Sequence, residues 1–79
     1  MDPRVRVGLN LMRLRRGQGL TQEQLEVRSD VSQQYLSGVE TGVRNPTILI
    51  LVRIAKALNV SLFTLLEGLD EPERSKDGS

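Results

Sequence analysis

Apolar residues recur along the chain at helical intervals, and nowhere do they alternate with polar residues as a half-buried strand would require. Val7, Leu11 and Leu14 stand at i, i+4 and i+7 and predict the inward stripe of a first helix, stopped by Gly17 and Gly19. Thr21 predicts the N-cap of a short second helix. Gln24 completes a T-x-x-Q capping box there, and Leu25 is the inward anchor. Ser29-Asp30 breaks this helix and Ser32 caps a third. Leu36 and Val39 face inward on it, Gln33, Gln34, Ser37 and Thr41 are left to solvent or a ligand, and Gly42 stops it. After the loop Val43-Arg44-Asn45-Pro46, Thr47 caps a fourth helix from Ile48 to about Leu58, ended by Asn59. Ser61 caps a fifth, from Leu62 to Glu67, with Gly68 as the stop. The pattern predicts an all-α domain of five helices over residues 1–68 and a disordered acidic tail over residues 69–79.

Composition narrows what such a domain does. Tyr35 and Phe63 are the only aromatic residues, so the core must be aliphatic. A chain of 79 residues supports one domain. Such a domain buries only about 60% of its unfolded surface, which leaves little room for a catalytic cleft. Cysteine and histidine are both absent, which excludes disulfides, thiolate chemistry and His/Cys zinc sites. Without them no nucleophile–base pair assembles, and no Gly-rich phosphate loop or paired-carboxylate cleft is visible. No enzymatic activity, cofactor or metal is therefore expected. No apolar run approaches the roughly 18 residues of a membrane span, and no signal peptide is visible, so a cytoplasmic protein is expected. The net charge of +1 hides a division. Residues 1–66 hold nine basic and five acidic side chains, a net of +4, whereas residues 67–79 hold two basic and five acidic, a net of −3. A basic body suits a polyanionic partner.

The informative stretch runs from Thr21 to Pro46. Two capped helices of about eight residues flank the turn Arg28-Ser29-Asp30-Val31, the spacing of a helix-turn-helix unit. The same spacing also fits an ordinary helical hairpin, so the residue types matter. A glutamine side chain donates and accepts at once and matches the N6/N7 edge of adenine in the major groove, which makes Gln33 and Gln34 candidate base readers. Gln22 opens the second helix, where free backbone N–H groups favour a phosphate. Arg44 and Asn45 follow the third helix and are candidates to grip the DNA backbone.

Three runs carry a family resemblance: Leu20-Thr21-Gln22-Glu23-Gln24-Leu25; Val31-Ser32-Gln33-Gln34-Tyr35-Leu36-Ser37-Gly38-Val39-Glu40 with Gly42 and Arg44-Asn45-Pro46; and Leu51-x-x-Ile54-Ala55-x-x-Leu58-x-Val60-Ser61-Leu62. Together they resemble the Cro/phage-repressor (XRE) helix-turn-helix family over roughly Val7 to Leu66. The resemblance implies a compact lambda-repressor-like domain whose third helix enters the major groove, with a dimer reading two half-sites of an inverted repeat. It implies base contacts from Gln33, Gln34 and Ser37, and phosphate contacts from Gln22, Arg44 and Asn45. Tyr35 either packs against the second helix or sets its hydroxyl on a phosphate. Arg15 and Glu40 match a partly buried ion pair tying the first helix to the third. Four positions depart from the family pattern. Glu26 stands where a small residue is usual, so the helix pair opens or Glu26 bends to solvent. Asp30 replaces a common turn glycine and tolerates the left-handed region. Gly38 removes one potential base contact and costs roughly 0.5–1 kcal/mol of helix stability. Met12 replaces an arginine and trims the phosphate footprint.

One apolar surplus is left over. Ile48, Leu51, Ala55 and Leu58 supply the inward stripe of the fourth helix, and Leu62 with Leu65 that of the fifth. Leu49, Ile50, Phe63 and Leu66 should then point outward and form a homodimer interface, unless the tail covers them as a satellite cluster. The expected partners are double-stranded DNA and a second copy of the chain, with no membrane and no small-molecule effector. The alternative is a protein-interaction adaptor that uses the same fold without base readout.

Overall fold

The computed structural model describes residues 2–69. Five helices follow one another in it: α1 (Pro3–Gly17), α2 (Gln22–Ser29), α3 (Gln33–Glu40), α4 (Ile48–Ala57) and α5 (Leu62–Leu65). No strand occurs among the described residues.

Four of the five helices start by the same device. Thr21, Ser32, Thr47 and Ser61 sit in extended backbone and accept from the N–H three residues on, at 3.0, 3.1, 3.2 and 3.1 Å. Each such cap is worth about 1 kcal/mol. At Thr21 the box closes reciprocally, the Gln24 amide oxygen accepting from the Thr21 N–H at 2.8 Å. α1 starts earlier than its apolar stripe suggests. Asp2 caps it by accepting from the Arg4 N–H at 2.8 Å, and Pro3 takes the first position, where its missing N–H costs nothing. The turn between α2 and α3 survives the loss of glycine because Asp30 adopts φ 59°, ψ 28°. Asn59 makes the same left-handed step after α4.

The core is aliphatic. Leu11, Leu25, Leu36, Val39, Ile54, Leu58 and Leu65 are fully buried, one or more from each helix. α1 packs on α3 and α5, α2 on α3 and α4, and α4 on α5. The α1–α3 crossing is close because Gly8 has no side chain. A Cβ there would meet the Val39 carbonyl oxygen and lie 2.7 Å from that of Glu40. α1 also completes the ends of other helices. The Asn10 amide donates to the Leu65 and Glu67 carbonyls, both at 2.9 Å, and the Gln18 amide donates to the Leu58 carbonyl at 2.6 Å. These bonds satisfy carbonyls that a helix leaves open at its C-terminus.

Several details differ from the sequence pattern. α5 is one turn, Leu62–Leu65, and the chain leaves it through further turns before Gly68. Leu69 is half-buried against the core rather than opening a solvated tail, and residues 70–79 lie outside the described residues. Leu14 is half-buried, while the neighbouring Arg15 is the buried one. On α4 the inward stripe is Leu51, Ile54, Ala55 and Leu58. Ile48, expected inward, is 68% exposed. It occupies the first helical position, before α4 reaches the elements that cover it. Ile50 and Leu66, expected outward, are half-buried against the core, because the apolar sector of each helix is wider than the stripe assumed for it.

Candidate nucleic-acid interface

The surface of α3 that the core leaves free is polar. Leu36, Val39 and Glu40 face inward, so Gln33 and Gln34 are exposed and Ser37 is half-exposed on the opposite side. Gln33, Gln34 and Ser37 line one open depression together with Gln22 from the first turn of α2. Two helices thus bring to one place the three side chains expected on bases and one expected on a phosphate. Their proximity follows from the left-handed step at Asp30. It is held by the Asp30 N–H donating to the Glu26 carbonyl at 2.8 Å and the Val31 N–H donating to the buried Ser29 hydroxyl at 3.2 Å. Glu26 is half-buried on α2 and does not prevent α2 from packing on α3.

Behind this face lies a buried ionic network. Arg15 donates from Nε to Glu40 Oε2 at 2.6 Å, from Nη2 to Glu40 Oε1 at 3.0 Å and from Nη1 to the Leu20 carbonyl at 2.7 Å. This bidentate pair ties α1 to α3, as the resemblance implies. The hydrogen bonds to Glu40 raise the Arg15 pKa above its ordinary value, against the opposing effect of burial. The network reaches the surface through Gln22, whose Nε2 donates to Glu40 Oε1 at 3.1 Å. The carboxylate accepts only, so it fixes which end of the Gln22 amide faces inward. Gln22 therefore enters the depression already oriented, a feature its sequence position does not reveal.

The opposite flank of α3 is built differently. The Arg44 guanidinium lies over the Tyr35 ring, 5.2 Å from its centroid. Tyr35 is half-buried, with its side chain packed against the core. Arg44 and Asn45 are exposed in the loop after α3. Met12 is half-buried on α1. The large exposed apolar residues are spread along the chain: Val5 on α1, Val27 on α2 and Val43 in the loop after α3 stand apart from those on α4 and α5. Leu49 on α4 and Phe63 on α5 are 77% and 84% exposed, and Ile48 joins them. Phe63 and Leu66 line a groove with Glu67, Gly68 and Leu69.

Among the described residues no group of His, Cys, Asp or Glu side chains is placed to hold a metal ion, and no helix is long and apolar enough to cross a membrane.

A helix-turn-helix family model matches residues 11–65. The HTH-type transcriptional regulator y4dJ of Sinorhizobium fredii, itself uncharacterised, is 55% identical over 71 residues, covering 90% of this chain and 92% of that protein. Among solved structures, the restriction-modification controller protein C.AhdI of Aeromonas hydrophila superposes with a TM-score of 0.79 at 34% identity, covering 82% of this chain and 98% of the other. The controller protein C.Esp1396I, solved as a tetramer on its natural 35 base-pair operator, gives a TM-score of 0.76 at 35% identity. That match covers 84% of this chain and 91% of the other. The match to residues 11–65 contains all of α2, the turn and α3, and the chain belongs to the XRE (Cro/phage-repressor) family of helix-turn-helix transcriptional regulators.

Proposed function

We propose that this protein binds double-stranded DNA sequence-specifically, as a homodimer on an inverted-repeat operator, and regulates transcription from the cytoplasm. The observation that carries the reading is the exposed polar depression of Gln22, Gln33, Gln34 and Ser37 at the start of two adjoining helices. Gln33, Gln34 and Ser37 meet base edges in the major groove, where an amide pairs with adenine through two hydrogen bonds. Gln22, Tyr35, Arg44 and Asn45 hold the phosphates on either side. Of the apolar residues assigned to the two-fold interface, Leu49 and Phe63 are open to a partner, and Ile50 and Leu66 stand half-buried behind them. Ile48, beside Leu49 in the sequence, is exposed as well. A two-fold axis there sets the recognition helices about 34 Å apart, one turn of DNA. The likeness to a controller protein solved on its operator supports the same mode.

The test is selection of bound sequences from a random duplex pool, followed by titration of Gln33→Ala and Gln34→Ala against the selected site and a scrambled one. Loss of a bidentate contact costs about 1–3 kcal/mol on the selected site and leaves the scrambled site unchanged. An equal loss on both duplexes removes α3 as the reader. A wild type that recovers no sequence from the pool favours the adaptor reading instead.

A further inference from the structure

Gly38 lies in the interior of α3, where glycine weakens a helix, and neither the core nor the polar depression needs it there. What it does is visible in the loop that follows. After Gly42 the chain folds back, and the N–H groups of Val43 and Arg44 both donate to the Gly38 carbonyl, at 2.9 and 3.0 Å. This fixes the Arg44 backbone directly beside Gly38. From there the Arg44 side chain runs back along α3 toward its N-terminus, across the face of Gly38. It ends over the Tyr35 ring, one helical turn earlier on the same side of the helix. A Cβ on residue 38 would stand 2.5 Å from Arg44 Cγ and 3.6 Å from Arg44 Cβ. Cγ is near the root of the side chain, and its position is set by χ1 from an anchored backbone. The overlap is therefore relieved only by a change of rotamer, which swings the whole guanidinium away from the ring.

We propose that Gly38 and Tyr35 are positioning residues for Arg44: glycine clears the path and the ring face holds the cation at the edge of the base-reading surface. The inference deepens the phosphate role proposed for Arg44 and rests on it. A guanidinium that is already ordered loses less freedom on meeting a phosphate than a solvated one does. Tyr35 then acts on DNA mainly through its ring, by way of Arg44, and its hydroxyl is secondary. Gly38 gives up a base contact of its own and in exchange aims the cation that follows the helix.

Tyr35 is the only tyrosine, and there is no tryptophan, so ring-current effects on Arg44 have few sources besides this ring. The first measurement needs no DNA. In NMR spectra of the full chain the Arg44 δ and ε protons are expected upfield of their ordinary positions. The displacement should vanish in Gly38→Ala and in Tyr35→Leu and persist in Tyr35→Phe. The second measurement titrates a short non-specific duplex at several salt concentrations. Gly38→Ala and Tyr35→Leu should weaken binding severalfold, as Arg44→Ala does, and Tyr35→Phe, which keeps the ring and loses the hydroxyl, by less than Tyr35→Leu. Neither should weaken it further when combined with Arg44→Ala. A thermal melt separates this from misfolding, since removing a glycine from the helix while freeing the loop leaves Tm near wild type.

Ordinary Arg44 shifts in the wild type, full binding by Gly38→Ala, or additive losses in the Arg44→Ala background would each overturn the proposal. Failure of the DNA-binding reading looks different: every protein, wild type included, then gives a flat titration while the displaced Arg44 shifts remain.

Discussion

Gln33 and Gln34 on α3, and Leu49 and Phe63 on α4 and α5, are all exposed, yet what stands behind each pair differs. The polar face is prearranged. Glu40 orients Gln22 on one side, and the buried Arg15 holds Glu40 by two hydrogen bonds. On the other side the Tyr35 ring carries Arg44. The apolar face has no such scaffold: its side chains are what remains after Leu51, Ile54, Ala55, Leu58 and Leu65 have filled the core. The difference fits the roles proposed for the two surfaces. Gln22 and Arg44, the groups so held, flank the proposed base readers, and hydrogen bonds to DNA depend on direction as well as distance. Burying area against a second copy, the role proposed for the other face, is non-directional, and leftover apolar surface suffices.

The comparison breaks most visibly at Arg15 and Glu40. Arg15→Met or Glu40→Leu alone leaves an unpaired buried charge and should cost about 3–5 kcal/mol. The double variant replaces the pair by apolar bulk and should recover much of the loss. Thermal melts of the three proteins decide it, and simple additivity would place the pair outside the scaffold of the polar face. The double variant should remain a dimer while binding specific and non-specific DNA more weakly alike, because Gln22 has then lost the partner that orients it for a phosphate.

Next in size is the apolar face. Each large side chain fully buried across the two-fold axis contributes roughly 1.5–3 kcal/mol before the cost of association. Phe63→Glu should give a folded monomer that keeps weak non-specific DNA affinity and loses cooperative operator binding. Sedimentation of both proteins at tens of micromolar is the check; a monomeric wild type, or normal dimerisation of the variant, removes this face from the interface.

Arg44→Ala sharpens the contrast with a smaller effect. Losing one phosphate contact should reduce the magnitude of the log K against log salt slope by roughly 0.9 and leave dimerisation untouched.

The smallest effect is expected at the N-terminus of α1, where one exposed cap is at stake. Hydrogen bonds from the Arg4 side chain and N–H hold the exposed Asp2 carboxyl below its ordinary pKa. A depressed folded-state pKa means that the cap stabilises fully above the unfolded-state value and is lost as pH falls through the lowered one. Amide exchange in the first turn of α1 should therefore rise in that acidic window while α3 stays protected. Exchange rising in both helices together would tie the cap to the recognition face.

All five helices were legible because their signals are local. A cap joins residues three apart, and an inward stripe repeats within the helix itself, so Thr21, Ser32, Thr47 and Ser61 announce their helices without reference to the rest of the fold. Asp2 and Pro3 carried an equally local signal that the apolar stripe of α1 concealed. The polar face was legible too, once Leu36 and Val39 were assigned inward, since a helix face is defined by its complement. What only the tertiary structure decided is how close, and in which direction, distant segments meet. Gly8 reads as an ordinary weak point in a helix until the α3 carbonyls are brought against it, and Gly38 until Arg44 returns across it. Ile48 fits the α4 stripe by period and is nevertheless exposed, because the period sets the angle of a side chain and not whether a neighbour extends far enough to cover it. Periodicity and capping are properties of a segment. Coverage, clearance and the orientation of Gln22 are properties of docked pairs, and they exist only once the helices have packed.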